Sequence, residues 1–428
     1  MTSVRLLWQY KDFRWLWLGQ SLSSIGDQMI VIVIALFVVD QTGSSRDLGI
    51  VLAAQTAPLV LLVLVGGVWA DRLPRQRIMI ASDLARFAVQ ATVATLVFAG
   101  DVPIWLLATL AACFGAAEAF FRPAYTGLIP QTVPEELIQP AQALTHASHN
   151  IARFVGPALA TVLSLGAGFG WAYAFDAATF LVSAGLLVLV RARSRGVVAV
   201  ERRSMRAELG EGFREVRSRS WVWATLLSAL VVVGAGIAPF AAVGAVVARD
   251  EYGSTAVFGW LQVAAGVGTI LGALVGIRWR PARPMLAATL LVSTWPVGIG
   301  LFALGVSLWV LLPVMVFNGI AFTLFIIWWE TALAERVPPA ALSRVSSYDW
   351  MVSLALLPVG YLVAGILADH FEPASVLLGG CIIAAVAGPM ALLSSELRGL
   401  RRADEAGNST YGETTCPAGR DDRSGPAR

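Results

Sequence analysis

Ionisable side chains interrupt several long apolar stretches of this 428-residue sequence. A charge is costly in such surroundings, so each of these residues is by default a candidate for ligand binding or proton transfer. A carboxylate placed there can take up and release a proton, and an arginine beside it can neutralise its charge. The candidates are Asp27, Glu118, Arg122, Arg153, Asp176, Glu330 and Asp349.

Two of these positions have neighbours that share one face of a helix. Glu118 precedes Arg122 by four residues, so the two side chains can pair with each other on one helix surface. Arg153 follows Asn150 by three residues, which again places both on one face. The spacing therefore requires helices to position these side chains.

The apolar residues supply those helices. They make up 57% of the chain, while only 14% of residues are charged, against about 25% in soluble domains. They fall into twelve runs of about 18–26 residues, long enough for a helix to cross a hydrocarbon core of about 30 Å. The composition excludes a soluble protein and predicts an all-α membrane protein. The runs are 15–40, 48–70, 78–99, 103–126, 139–166, 171–192, 221–247, 255–277, 284–305, 307–332, 344–368 and 374–395.

Basic residues gather on one side of this arrangement. Of 31 lysines and arginines, 26 lie in the termini and in the connections on the same side, and only Arg46 and Arg249 lie in connections on the other side. Because basic residues accumulate on the cytoplasmic side of membranes, we predict that both termini are cytoplasmic. The net charge of +3 excludes a generally basic nucleic-acid-binding protein.

A polar stretch divides the chain into two pseudo-symmetric halves of six helices each. We predict an N-terminal bundle over 1–193, a cytoplasmic linker over 194–220, a C-terminal bundle over 221–395 and a disordered cytoplasmic tail over 396–428. Within the linker, Met205–Arg219 can form a short surface helix.

The two halves also repeat a pattern. In each, a fourth helix joins a fifth through a Val-Pro turn, and the fifth carries a Gly/Pro pair, at Gly156-Pro157 and at Pro358-Val-Gly360. Such symmetry in a membrane protein indicates a transporter with its site at the interface between the repeats.

A cluster of small and charged residues lies between the second and third helices, in Gly66-Gly-Val-Trp-Ala-Asp-Arg-Leu-Pro-Arg-Gln-Arg77. It resembles the cytoplasmic loop motif of the major facilitator superfamily, although Pro74 replaces the usual glycine and Gln76 a usual basic residue. The resemblance implies a latch that closes the cytoplasmic side and opens during transport. We expect Gly67 to permit close helix packing and Asp83 and Arg86 to support the latch. The residues that match or nearly match the family motif are Gly67, Asp71, Arg72, Arg75 and Arg77.

Other segments resemble one branch of that superfamily. FRWLWLGQSLSSIGDQM (13–29), AFDAATFLVSAGLLVL (174–189), LGEGF (209–213) and SRVSS (343–347) are similar to the efflux branch that includes macrolide exporters and the enterobactin exporter. Gly156 and Pro157 match part of a fifth-helix motif of drug:proton antiporters, whereas Ala160 and Thr161 depart from its final glycines. The resemblance covers residues 8–395.

The resemblance also implies which candidates line the transport path. In the superfamily, helices 1, 4, 7 and 10 surround a central cavity, which would place Asp27, Glu118 and Arg122 nearest to it. Asp27 is either a transport residue or a structural partner of Arg122 or Arg153. For Glu118, pairing with Arg122 is an equal alternative. Arg153, Glu330 and Asp349 complete the candidate proton-coupling and substrate set, with Glu330 also interpreted as an interfacial residue.

The sequence contains no motif of an enzyme. A Walker-type phosphate loop is missing, and His146 and His149 have no third ligand nearby for a metal. We therefore expect no cofactor, with a proton gradient as the energy source. The expected partners are protons, the lipid bilayer and a small-molecule substrate, with no nucleic acid, and we expect a monomer.

The resulting prediction is a multi-pass exporter in a bacterial inner membrane. It would move a small amphipathic molecule, such as a drug, secondary metabolite or siderophore, outward in exchange for protons by alternating access. The alternatives are an uptake carrier or uniporter on the same scaffold, and a transport-dead membrane receptor or assembly partner.

Overall fold

The computed structural model describes residues 2–100, 102–191, 213–279 and 281–401, and throughout these ranges every regular element is helical. A long helix lies at each of the twelve predicted apolar runs. Their bounds are α1 Lys11–Thr42, α2 Ser45–Arg72, α3 Arg75–Ala99, α4 Ile104–Thr132, α5 Ile138–Gly166, α6 Phe169–Val188, α7 Ser220–Tyr252, α8 Ala256–Arg278, α9 Pro284–Ala303, α10 Leu308–Arg336, α11 339–368 in two segments, Pro339–Ala355 and Leu357–Ala368, and α12 Pro373–Met390.

Eleven helices in the described residues are long and apolar enough to cross a membrane. The helix outside this set is α5, whose first sixteen residues include glutamine, histidine, asparagine and arginine side chains among the apolar ones. The all-α membrane fold is confirmed, whereas the count of twelve spans and the cytoplasmic position of both termini stay predictions.

Three of the long helices are interrupted near prolines. In α7 the turn Val233–Ile237 is π-helical and precedes Pro239, at the glycine-rich position where the sequence favours bending. In α9 and α11 a new helical segment begins at Trp295 and at Leu357, each followed by a proline. Proline lacks an N–H and collides with the preceding turn, so a helix restarts more easily than it continues through it.

The same pairs of helices pack together in each half. In the N-terminal half α1 packs on α5 and α6, α2 on α4, and α3 on α4 and α6. Adding six to each helix number gives the main packing pairs of the C-terminal half, such as α8 on α10. Between the halves α2 packs on α11 and α5 on α8, which are also equivalent under this shift. The architecture is therefore two repeats of one six-helix bundle.

The two ends of the molecule are packed differently. We call the end that holds Arg72, Arg75, Arg77 and Arg278 the arginine-rich end, and the other the opposite end. The largest buried apolar cluster lies towards the opposite end and contains residues of both halves, including Val38, Leu48, Val243 and Leu261. At the arginine-rich end one cluster contains only N-terminal residues and another only C-terminal ones. The halves thus share a core at the opposite end, which is the inward-facing arrangement if the arginine-rich end is cytoplasmic.

The segments around the two bundles are only partly described. Residues 213–218 are helical and Val216 packs into the C-terminal half, while the rest of the predicted linker helix, 205–212, lies outside the described residues. Ser395–Gly399 forms a short helix at the start of the predicted tail, and residues 402–428 lie outside the described ranges.

Candidate functional site

A buried arginine joins two acids between α1 and α3. Arg86 donates to the Asp83 carboxylate at 2.5 Å and to the Asp27 carboxylate at 3.5 Å. The side chains of Arg86 and Asp83 are 1% and 0% exposed, whereas that of Asp27 is 32% exposed. Arg86 is therefore the partner of Asp27, in place of the Arg122 or Arg153 considered from sequence. The side chains of Asp83 and Arg86, which the sequence predicts to support the loop latch, point into this bundle core.

Aromatic rings surround the same guanidinium. The Arg86 carbon Cζ lies 4.2 Å from the ring centre of Phe121 and 4.4 Å from that of Phe180. Such contacts attract a cation without supplying an anion, and they exclude water. The geometry therefore keeps Arg86 fixed while Asp27 faces a more open space.

Helix α6 completes this polar cluster. Ser183 donates to the second Asp83 oxygen at 2.7 Å and accepts from Gln20 of α1 at 2.8 Å. Nearer the opposite end Gln90 of α3 donates to the buried Asp176 at 2.7 Å. These bonds satisfy polar groups that would be costly to bury alone, so α1, α3 and α6 form one hydrogen-bonded unit.

Helix α4 carries the predicted pair. Arg122 donates to Glu118 through two nitrogens, at 2.5 and 2.9 Å, and this pairing is confirmed. Both side chains lie within electrostatic range of Asp27. The structure therefore brings Asp27, Glu118 and Arg122 together.

The remaining candidates lie on α5, α10 and α11. Arg153 and Glu330 are exposed and lie within electrostatic range of each other, across the boundary between the halves. Asp349 accepts a hydrogen bond from the Trp329 indole at 3.0 Å, which ties α11 to α10. Asp349 is thus engaged in packing within the C-terminal half.

The loop cluster holds the arginine-rich end of the N-terminal half together. Arg75 donates to the Gly127 carbonyl at 2.6 Å, and Gln76 donates to the carbonyls of Leu187 and Val190, both at 2.7 Å, at the end of α6. Gln76, which departs from the family motif, thus satisfies carbonyls that a helix end leaves unpaired.

Other members of the loop cluster differ in what they contact. The prediction that Gly67 permits a close helix approach is wrong, because open space surrounds the position of its missing Cβ. Gly66 does this instead, since a Cβ there would lie 2.4 Å from the Ala119 carbonyl oxygen. Arg72 and Arg77 are exposed, and the side chain of Asp71 lies outside the described residues.

The fifth-helix motif brings α5 against α1. A Cβ on Gly156 would lie 2.6 Å from Gln28 Cβ and 2.9 Å from the Met29 nitrogen. Pro157 is buried beside it. This close contact fixes α5, and with it Arg153, next to the helix that carries Asp27.

The sequence does not predict that Gln20, Gln90 and Ser183 belong to the polar cluster of α1, α3 and α6. The signal was present on α3, where Asp83, Arg86 and Gln90 follow at spacings of three and four and therefore share one face. The partners on α1 and α6 are distant in sequence and carried no comparable signal.

Comparison with known proteins settles the family. The family model described as transmembrane secretion effector matches residues 7–428. The chain belongs to this family of major facilitator superfamily transporters, in its efflux-type branch. It is a multi-pass membrane transporter and not an enzyme.

Individual relatives agree with this assignment. The chain is 26% identical to the MFS-type transporter YvqJ of Bacillus subtilis, covering 93% of this chain and 95% of that one. It is 24% identical to macrolide efflux protein A of Streptococcus pyogenes, covering 85% and 90%. Among solved structures, an inward-facing, occupied bacterial homolog of the human lysosomal transporter Spinster matches with a TM-score of 0.65 at 17% identity, covering 95% of this chain and 98% of that one.

Proposed function

We propose that this transporter exports small amphipathic molecules in exchange for protons, by alternating access, across a bacterial inner membrane. The observation that carries the proposal is the ion pair between Arg86 and a partly exposed Asp27. A carboxylate with one side on a cavity and the other on a fixed cation can exchange a proton with the solution and change its bonding as it does so. The proton gradient is then the energy source.

Protonation would act on α1 through this pair. A protonated Asp27 no longer attracts Arg86, which keeps Asp83 at 2.5 Å as its remaining acid. The tie between α1 and α3 at Asp27 is then released. In this proposal, the conformation with Asp27 and Arg86 paired is the one in which Asp27 has released its proton at the arginine-rich end.

Alternating access requires the two halves to exchange which end is closed. Here the opposite end is closed by α2 against α11 and by α5 against α8, while Arg122, Arg153 and Glu330 are exposed and Asp27 is partly exposed. A solute entering from the arginine-rich end would meet Asp27, Arg122, Arg153 and Glu330. Export of macrolides by the Streptococcus pyogenes relative supports the outward direction and an amphipathic solute.

The test is Asp27→Asn in proteoliposomes with an imposed pH gradient and a panel of amphipathic drugs that includes a macrolide. We expect drug-dependent proton movement to be abolished, because an amide cannot carry the proton. Exchange of labelled for unlabelled drug without a gradient should continue, since the fold and the cavity are retained. The measurements are internal pH and labelled drug in the same vesicles.

The matched control is Glu335→Gln, an exposed acid near the arginine-rich end of α10 that should leave both measurements unchanged. Undiminished proton movement in Asp27→Asn would contradict the antiport role. Gradient-independent movement in the wild type would favour a uniporter, and inward accumulation would favour an uptake carrier. If no compound moves while loss of the chain alters a cellular response, a receptor or assembly role is favoured.

A further inference from the structure

Two charges of the candidate set lack a close partner within the part of the chain that the structure describes. Asp27 pairs with Arg86, Glu118 with Arg122, and Asp349 with the Trp329 indole. Arg153 and Glu330 make no hydrogen bond or ion pair to the described residues, although each lies in the electrostatic field of the other. An unpaired charge at membrane depth is a default candidate for contact with a ligand.

The packing of α5 shows where Arg153 points. Gly156, three residues further on, faces α1, and the adjacent Phe154 contacts Gly266 of α8. A helix turns by about 100° per residue, so Arg153 lies between the face of α5 that contacts α1 and the face that contacts α8. The exposed apolar side chains Ile151 and Val162 lie on the opposite surface, where lipid is expected. Arg153 therefore faces the space between the halves and not the lipid.

The same reasoning places Glu330 on the other wall. Gly319 of α10 contacts Ala265 and Gly268 of α8, and Glu330, eleven residues later, lies on nearly the same face. Val310 and Phe317 are exposed on the far side of α10. Glu330 thus lies on the side of α10 that faces α8, away from the lipid-side residues, where it is exposed and within electrostatic range of Arg153.

The charges on the two walls have opposite signs. In the N-terminal half the acids near the space already have arginine partners, which leaves Arg153 as the uncompensated cation. In the C-terminal half the basic residues of the sequence lie near helix ends, at 249, 278, 280, 283, 336 and 344. Glu330 has no cation of its own half beside it in the described contacts.

The two positions also differ in depth. Arg153 is fifteen residues from the start of α5 at the arginine-rich end, and Glu330 is six residues from the end of α10 at that same end. At 1.5 Å per residue the two Cα positions are staggered by about 13 Å along the membrane normal.

We propose that a zwitterionic solute binds in the space between the two halves, with its anionic group on Arg153 of α5 and its cationic group on Glu330 of α10. This inference rests on the proposed export function and narrows its substrate class to amphipathic molecules that carry both a carboxylate or phosphate and an amine. A solute held in this way links the two halves, so its binding favours their approach at the arginine-rich end. Purely cationic molecules lack the contact with Arg153, and neutral molecules lack both contacts.

The probes that test this are rhodamine B, which carries a carboxylate and a delocalised cation, and its ethyl ester, which carries only the cation. Transport of both dyes is measured in proteoliposomes containing the full chain, together with transport of the drug panel used for the export test. We expect the wild type to move rhodamine B about tenfold faster than the ester at low concentration, because a charged hydrogen bond is worth about one factor of ten.

Variants of Arg153 and Glu330 should distinguish the contribution of the carboxylate of the dye from that of its cation. Arg153→Gln should reduce rhodamine B transport about tenfold and leave ester transport nearly unchanged, while Arg153→Lys should retain most of the preference. Glu330→Gln should reduce transport of both dyes, and Glu335→Gln on the same helix should reduce neither.

Each result decides the question. Equal transport of both dyes by the wild type, or equal loss of both in Arg153→Gln, overturns the inference and assigns the pair to a gate that closes directly between the halves. Export of the drug panel without movement of rhodamine B overturns the inference and leaves the export function intact. Failure to move every compound overturns the export function itself.

Discussion

At the scale of single residues, Arg86 serves two acids that differ in exposure. Asp83 is fully buried and bonded at 2.5 Å, while Asp27 is partly exposed and bonded at 3.5 Å. Separating a buried ion pair is expensive, whereas an exposed acid can be protonated and leave at lower cost. Arg86 therefore stabilises the bundle through Asp83, and its bond to Asp27 depends on whether Asp27 is protonated.

Measurements of stability should distinguish the role of Arg86 as the partner of Asp83 from its role as the partner of Asp27. Arg86→Gln leaves Asp83 buried without its cation and should lower the free energy of unfolding by about 3–5 kcal/mol. Asp27→Asn keeps the Arg86–Asp83 pair and should cost much less. Thermal unfolding of the purified protein in detergent measures both. Equal stability of Arg86→Gln and the wild type would contradict the assignment of Arg86 as a structural partner of Asp83.

At the scale of elements, small residues set how closely the helices approach. Gly49 of α2 lies against α11 of the other half, where a Cβ would be 2.5 Å from the Tyr361 carbonyl oxygen. Gly259 of α8 similarly meets Thr161 of α5. Small residues allow such backbone contacts between membrane helices. Both contacts lie where the two halves meet at the opposite end.

A larger residue at Gly49 should therefore disfavour the described conformation. We expect Gly49→Val to shift the population towards an arrangement open at the opposite end, because its side chain collides with backbone atoms of α11. Labelling of single cysteines introduced at the opposite end should become faster. Gly185→Val on α6, where the structure leaves open space, is the control. Unchanged labelling of Gly49→Val would show that α2 and α11 already separate freely.

At the scale of the whole molecule, the two basic residues predicted on the far side both cross between the halves. Arg46 of α2 pairs with Asp369 after α11 at 3.3 Å. Arg249 of α7 donates to the carbonyls of Val39 and Gly43 at the end of α1, at 3.5 and 3.4 Å. A cation at a helix C-terminus also interacts favourably with the helix dipole. These contacts would have to break for the opposite end to open.

Removal of both arginines should loosen this closure. An exposed ion pair or a hydrogen bond from an arginine contributes up to about 1 kcal/mol, so the double variant Arg46→Gln, Arg249→Gln should change the ratio of the two conformations severalfold. Distance measurements between spin labels on the ends of α1 and α7 would record a larger long-distance population. Arg77→Gln, an exposed arginine at the other end, should not increase that population. An unchanged distance distribution would mean that apolar packing alone closes the opposite end.

The sequence alone determined the helical membrane fold and the position of nearly every long helix. Runs of apolar residues of this length have few other structures available, because the backbone must satisfy its hydrogen bonds within the segment. The spacing of Glu118 and Arg122 likewise gave their pairing, because residues four apart on a helix are always neighbours.

The tertiary structure decided which distant residues meet. Asp27 pairs with Arg86 and not with Arg122 or Arg153, Gly66 and not Gly67 makes the close contact, and Arg153 lies within electrostatic range of Glu330 in the other half. Each result depends on the rotation of one helix about its axis relative to another. That rotation follows from the summed packing of many small contacts, which no local pattern in the sequence records.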